Sequence, residues 1–158
     1  MIDVTAATLA DHPFLRGVSR EQLAELAEVG TVIAMPAKRR IFEEGGHATR
    51  FWLIRSGCVA LDLHIPGRGL VVIETLGMGD VLGWSWLFPP GRWVFGAVTV
   101  EPTEAFEFDG PAVRARFEAN PGLGYELSRR FLAVAAKRLQ ATRFRLLDLY
   151  GAPAEVRP

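Results

Sequence analysis

The sequence is poor in the residues that build disulfides, metal sites and catalytic groups. Cys58 is the single cysteine, so it has no internal disulfide partner and a reducing compartment is expected. The 3 histidines are scattered, without the HxH or HxxxE spacing typical of a metal site in a cupin-like barrel. We find no catalytic constellation around them. The sequence therefore predicts a non-enzymatic protein without a metal or other cofactor, and a cupin-type enzyme is the alternative with least support.

Net charge is also absent, because 18 basic residues balance 18 acidic ones. This balance removes any global electrostatic reason to bind nucleic acid or an anionic membrane. The N-terminus lacks the basic region and the long apolar stretch of a secretory signal. The most apolar window, residues 81–98, contains Pro89, Pro90 and Arg92, which disfavour a lipid-exposed helix. We therefore expect a cytoplasmic protein that binds neither nucleic acid nor membrane.

Hydrophobic residues make up 49% of the 158 residues, enough for one domain spanning the whole chain. Residues 8–30 are expected to be helical, because Ser19 and Gln22 form a capping-box pattern and Gly30 is a stop signal. Residues 31–108 contain short strand-like runs separated by turn residues. These runs are TVIAM, RRIF, FWLIR, CVALDL, LVVIETL, VLGW, FGAVTV and EAFEF. They predict a mainly β fold with flanking helices, an antiparallel jelly-roll barrel.

Helices return after the strands. Asp109 and Pro111 mark the start of a short helix over residues 109–120, and a long helix follows over residues 121–150, with a tail at 151–158. The long helix carries two apolar stripes. Leu127, Phe131 and Val134 form the first, which is expected to pack on the barrel. The second stripe, about a quarter turn away, consists of Leu132, Ala135, Leu139, Thr142, Leu146 and Leu149.

One chain cannot easily cover both stripes. We therefore predict a homodimer whose long helices pair along the second stripe. The alternative is a helix folded back on its own barrel, which the shortness of the second stripe and its interruption by Thr142 would allow.

Several motifs, in order, resemble the cyclic-nucleotide-binding domain of regulators of the catabolite-activator and fumarate-nitrate type. They are IFEEGG at residues 41–46, FWLIRSGCV at 51–59, LGMGDVLG at 76–83 and KRLQAT at 137–142. The resemblance implies a nucleotide pocket beside a phosphate-binding cassette. Such regulators continue into a winged helix-turn-helix, whereas this chain ends soon after Tyr150. The resemblance thus predicts a module without a DNA-binding domain, either free-standing or a piece of a longer regulator.

The cassette departs from the pattern of this family within residues 83–93, GWSWLFPPGRW, which contain three of the 4 tryptophans. Trp84 stands where the family has a glutamate that accepts from the ribose. Trp93 stands where the family has a phosphate-binding arginine, and Arg92 lies one place early, which on a strand turns its side chain to the other face. The candidate pocket residues are Gly83, Trp84, Ser85, Trp86, Arg92, Trp93, Thr142 and Arg143.

Two interpretations of the cassette follow. In the first, the tryptophans fill the cavity, and the protein is a regulatory module that does not bind cyclic AMP in the usual way and signals through its dimer helices to an unknown protein partner. In the second, Arg92, backbone amides of residues 83–85 and tryptophan stacking still bind a cyclic nucleotide or another small molecule. Thr142 is either a contact to the base or a small residue of the second stripe, and Arg143 stands where the family has a small hydroxyl residue.

Overall fold

The computed structural model describes residues 2–150, so the predicted tail at 151–158 lies outside the described residues. Strands occupy the region where the sequence predicts them. They are β1 (Gly30–Met35), β2 (Arg40–Phe42), β3 (Arg50–Ser56), β4 (Val59–Ile65), β5 (Gly69–Leu76), β6 (Val81–Leu82), β7 (Gly96–Thr99) and β8 (Thr103–Asp109). The helices are α1 (Ala6–Ala10), α2 (Arg20–Ala27), α3 (Gly110–Ala119) and α4 (Pro121–Tyr150), with 3-10 turns at Pro13–Leu15 and Ser85–Leu87.

The strands form two antiparallel four-stranded sheets, one in the order β1-β8-β3-β6 and the other in the order β2-β7-β4-β5. This arrangement confirms the predicted jelly roll, although the two sheets face each other without closing into a continuous barrel. The core lies between the sheets and beneath α4. Phe51 of β3 packs against Phe131 of α4, while its neighbour Trp52 stacks on Phe42 in the opposite sheet. Both faces of β3 are therefore covered, which explains its unbroken apolar run.

Two predicted caps begin helices as expected. The Ser19 side chain accepts a hydrogen bond from the backbone N–H of Gln22 at the start of α2, which is one of the two bonds of the predicted capping box. The Asp109 carboxylate does the same for the N–H of Ala112 at the start of α3, where Pro111 occupies the first turn. These bonds satisfy helix-terminal donors that would otherwise lack partners.

The long helix α4 has 30 residues, so at ~1.5 Å per residue it is roughly 45 Å long. Leu127 and Phe131 are fully buried and Val134 packs beside them, which confirms that the first stripe rests on the sheets. The second stripe is covered only in part: Leu132 is 60% exposed and Leu139 is 71% exposed, whereas Ala135, Thr142, Leu146 and Leu149 are half-buried. Among residues 2–150, no helix combines the length and the apolarity needed to cross a membrane.

His12 joins the N-terminal helical segment to the jelly roll. Its Nε2 lies 2.9 Å from the Ile54 carbonyl, to which it donates, and its Nδ1 accepts from the N–H of Phe14 at 3.2 Å. The neutral imidazole satisfies both bonds, whereas a second proton would leave Nδ1 facing a donor. Burial lowers the pKa of His12; the Ile54 carbonyl and Asp80 act against that shift, and Arg55 adds to it.

This buried histidine predicts a loss of stability in mild acid. Because its pKa is lower in the folded protein, the unfolded chain takes up the proton first, so stability falls as the pH drops below about 6.5. Thermal unfolding of the parent protein between pH 7.5 and pH 5.5 should show a larger fall in Tm than the same series on His12→Gln, which has no imidazole. Parallel pH profiles for the two proteins would show that His12 is not the responsible group.

Candidate ligand pocket

The tryptophan-rich loop, residues 83–93, connects β6 to the approach to β7. Gly83 begins it with φ +93°, a conformation that favours glycine. A Cβ at this position would lie 3.0 Å from the Trp93 ring and 3.1 Å from the Arg50 carbonyl. Gly83 therefore permits both the turn of the chain and the close approach of the indole ring.

Trp93 occupies the inside of the jelly roll. Its ring stacks on Phe42 with centroids 3.8 Å apart and an interplanar angle of 13°. The Trp93 backbone is paired to the opposite turn, because its N–H donates to Gly46 and its carbonyl accepts from Gly45. Trp93 is 6% exposed, so its ring is a packed part of the core.

Trp86 lies elsewhere, although the sequence analysis placed it in the pocket. It stacks on Phe51 and meets Phe131 of α4 edge-on, with centroids 5.0 Å and 5.3 Å away. Trp84 and Trp86 point in different directions because of the 3-10 turn at Ser85–Leu87. A 3-10 helix has about 3 residues per turn, so side chains two positions apart lie on different faces of it. Trp84 consequently faces the inside of the jelly roll, while Trp86 anchors the loop to the helices.

The space left beside Gly83, Trp84 and Trp93 is a cavity of about 10 Å³, which is room for about one water molecule, whereas residues 86–91 of the same loop line a separate pocket of about 510 Å³. We refer to the smaller of the two as the cassette cavity. It is lined by Phe42, Leu61, Leu82, Gly83, Trp84, Ser85, Trp93, Val94, Phe95 and Arg138. Four of the predicted pocket residues are therefore brought together here: Gly83, Trp84, Ser85 and Trp93.

Arg92 does not line the cassette cavity. Its side chain is exposed, and its Nη1 donates to the Gly45 carbonyl at 3.0 Å. The backbone of Arg92 forms an isolated bridge with His47, which fixes the alternation that turns Trp93 inward and Arg92 outward.

Thr142 and Arg143 also lie outside the cassette cavity. The Thr142 hydroxyl donates to the carbonyl of Arg138 one turn earlier on α4, at 2.8 Å. Both residues face a surface along the helix that also includes Leu139 and Leu146. Thr142 and Arg143 thus lie on the same face of α4 as the second stripe.

Arg138 is the charged residue of the cassette cavity, and the sequence analysis missed it. It is 5% exposed, and its Nη2 donates to the Val81 carbonyl. Burial lowers the pKa of Arg138 to about 10, against the opposing influence of Glu74 and Asp80, so it remains a cation at neutral pH. One feature of the sequence could have predicted its burial: Arg138 follows Leu127, Phe131 and Val134 at helical spacing and so continues the stripe that faces the sheets.

Neither metal ligands nor an acid–base pair accompany this arginine. Within residues 2–150, no group of three or more His, Cys, Asp or Glu side chains is placed to bind a metal ion. The lining of the cassette cavity is aromatic and aliphatic apart from Ser85 and Arg138. The arrangement is thus suited to binding or packing and offers no nucleophile paired with a base.

The sequence of this chain is similar to those of known proteins. The family model described as the cyclic nucleotide-binding domain matches residues 32–120. The CRP-like cAMP-activated global transcriptional regulator of Mycobacterium tuberculosis is 28% identical over 141 residues, which cover 89% of this chain and 61% of the regulator. The chain therefore spans about three fifths of the length of this relative.

Solved structures share the fold. A cyclic nucleotide-binding domain from Methylobacillus flagellatus has a TM-score of 0.75 at 22% identity, over 88% of this chain and 77% of that one. The catabolite activator protein of Thermus thermophilus has a TM-score of 0.69 at 25% identity, over 88% of this chain and 63% of that one.

Proposed function

Because this chain belongs to the cyclic nucleotide-binding domain family, we propose that it is a regulatory module whose own aromatic side chains occupy the nucleotide pocket. The observation that carries the proposal is the size of the cassette cavity, about 10 Å³. Pockets for small molecules usually measure roughly 300 Å³ or more. A nucleotide would have to displace Trp84 and Trp93, and the Trp93 ring is stacked on Phe42.

The charges around the cavity support the same proposal. A cyclic phosphate carries a full negative charge, so its burial requires a fixed positive group or several aligned donors. Arg92 is directed at the Gly45 carbonyl on the surface, and Arg138 is directed at the Val81 carbonyl. Neither guanidinium is presented to a phosphate in the way that the usual cassette requires.

We test this part of the proposal by isothermal titration calorimetry with cyclic AMP. The Mycobacterium tuberculosis regulator, whose name records activation by cAMP, is the positive control. We expect no heat of binding for this protein at nucleotide concentrations that saturate the control. Saturable binding at one nucleotide per chain would overturn the proposal. It would instead support the second candidate, a working nucleotide site, for which the buried cation of Arg138 is the favouring observation.

The second stripe supports a homodimer. Leu132, Leu139 and Leu146 of this stripe recur at heptad spacing on α4, and Leu132 and Leu139 are at least 60% exposed. Tyr125, which is outside the predicted stripe, continues the same spacing and is 70% exposed. An apolar stripe of this length is unfavourable in water, and a two-fold axis along α4 would cover it with the same stripe of a second copy. We therefore propose that the second stripe packs against the same stripe on α4 of a second copy of this chain.

Substituting one stripe residue should separate the two chains. Leu139→Glu places a charge at the centre of the second stripe, and we expect the dissociation constant of the dimer to rise at least tenfold. The matched control is Phe144→Glu, because Phe144 is 66% exposed on the same helix but points about 140° away. Analytical ultracentrifugation over a range of concentrations measures both variants. A dimer that is equally stable in both would exclude pairing along this stripe.

The β4–β5 hairpin provides a route by which the pocket region influences the dimer helix. Arg68 at the hairpin tip donates to the Leu149 carbonyl at 2.9 Å, and its guanidinium lies 5.5 Å from the Tyr150 ring centroid. Arg145 of α4 donates to the Val72 carbonyl of β5 at 3.3 Å. The end of α4 is thus attached to the sheet that lines the cassette cavity. We propose that this end presents the signal to a protein partner.

A further inference from the structure

A second pocket lies on the outer side of the tryptophan-rich loop. Its volume is about 510 Å³, within the range of roughly 300–1,000 Å³ that is usual for small-molecule sites. Residues 86–91 of the loop line it together with Thr49, which precedes β3, and with Pro111 and Arg114 of α3. We refer to it as the outer pocket. It shares no lining residue with the cassette cavity, so the two are separate sites.

The lining of the outer pocket is mostly apolar and rich in rings. Trp86, Phe88, Pro89, Pro90 and Pro111 all contribute to it. Trp86 is buried, whereas the other four are exposed to solvent, with Phe88 39% exposed. A flat apolar ligand placed against these rings would remove apolar area from water on both sides of the contact. The shape and the lining therefore favour an aromatic or aliphatic ligand.

Arg114 supplies the positive charge of the outer pocket. Its Nη2 donates to the Trp86 carbonyl, and its Cζ lies 5.9 Å from the centroid of the Trp86 ring, which keeps the guanidinium beside this residue. Within residues 2–150 no salt bridge involves Arg114, and no acidic residue lines the pocket. A guanidinium has five N–H donors in a fork that matches a carboxylate. The charge of the pocket therefore favours a ligand with one carboxylate.

We propose that the outer pocket binds a small apolar carboxylate, whose carboxylate pairs with Arg114 and whose apolar part lies against Trp86, Phe88 and Pro111. The site goes beyond the function proposed above and does not depend on whether the cassette cavity is filled. The Trp86 ring also meets Phe131 of α4 edge-on, with centroids 5.3 Å apart. A ligand in the outer pocket would thus lie one side chain away from the helix that we propose forms the dimer.

The probe for this site is 1-naphthoate, and 1-naphthamide is the matched compound that keeps the rings but lacks the negative charge. Both are titrated into the full chain by isothermal titration calorimetry. We expect 1-naphthoate to bind saturably at one molecule per chain. Its dissociation constant should be lower than that of the amide by about tenfold or more, because only the carboxylate forms charge-assisted hydrogen bonds with Arg114.

Three variants locate the binding. Arg114→Met should raise the dissociation constant of 1-naphthoate by about tenfold or more, and Phe88→Ala should raise it by about threefold, because part of the apolar lining is lost. The control is Arg116→Met, which removes the same charge from α3. Arg116 forms a salt bridge with Glu28 and does not line the outer pocket, so this variant should bind 1-naphthoate as the parent does.

Equal binding of the acid and the amide, or of 1-naphthoate to the parent and Arg114→Met, would overturn the site, because the exposed leucines of α4 can bind aromatic molecules without a charge. Absence of saturable binding at millimolar 1-naphthoate would also overturn it. In the unaltered protein, a crystal soaked in 4-bromo-1-naphthoate should give an anomalous bromine peak in the outer pocket, and a peak elsewhere alone would overturn the site. The titration with cyclic AMP concerns the cassette cavity, so each proposal can fail without the other.

Discussion

Replacing Trp93 by alanine is expected to lower the free energy of unfolding by about 3–5 kcal/mol. The ring is buried, stacks on Phe42 and lies 6.1 Å from the Trp52 centroid, so its removal leaves a large void between the two sheets. The surrounding strands can relax only in part, because the Trp93 backbone is hydrogen-bonded to Gly45 and Gly46. Urea denaturation followed by far-UV circular dichroism measures the loss.

Trp84→Ala is the matched control for Trp93→Ala. Trp84 lines the same cavity but is only half-buried, so its loss should cost about 2 kcal/mol or less. The void in Trp93→Ala should also accept an added aromatic molecule, so millimolar indole should raise the Tm of this variant and leave that of the parent unchanged. Equal losses for the two variants, with no effect of indole, would contradict a pocket filled chiefly by Trp93.

Gly57→Ala is expected to destabilise the protein by at least about 3 kcal/mol. Gly57 has φ +98°, a conformation in which an L side chain is strained. A Cβ there would also lie 2.5 Å from the Pro102 carbonyl and 2.7 Å from the Thr103 Cα. These are backbone atoms of the segment leading into β8, which is hydrogen-bonded to both β1 and β3 and cannot move away alone.

A second glycine separates the clash at Gly57 from backbone strain. Gly67, at the tip of the β4–β5 hairpin, has φ +81°, and an added Cβ would meet nothing within 4 Å. Gly67→Ala should therefore cost about 1–2 kcal/mol, which is the conformational penalty alone. If the two variants lose the same stability by urea denaturation, the close approach of Pro102 and Thr103 contributes nothing.

The fold was predictable because its signals are local. Short β-branched and aromatic runs separated by glycine predicted each strand, and Asp109 with Pro111 predicted the start of α3. The open edges of the two sheets were not predictable, since strand pairing depends on contacts between residues far apart in the sequence. β1, for example, pairs with β8, joining Gly30 to Phe108.

The candidate site was predicted less completely. The direction of Trp93 followed from strand alternation, but the 3-10 turn that separates Trp84 from Trp86 has no comparable periodic signal. Arg138 was overlooked because an arginine on a helix usually lies on the solvated face. Its burial depends on how α4 crosses β6, which is a tertiary contact that no local pattern reports.

Native mass spectrometry of the full chain, alone and with excess cyclic AMP, tests the filled pocket and the dimer together, because one spectrum reports both the oligomer and its ligand. We expect a dimer of two chains that gains no mass equal to a nucleotide. A dimer that takes up one nucleotide per chain would contradict the filled pocket, and a protein that remains monomeric at all concentrations would contradict the pairing of α4.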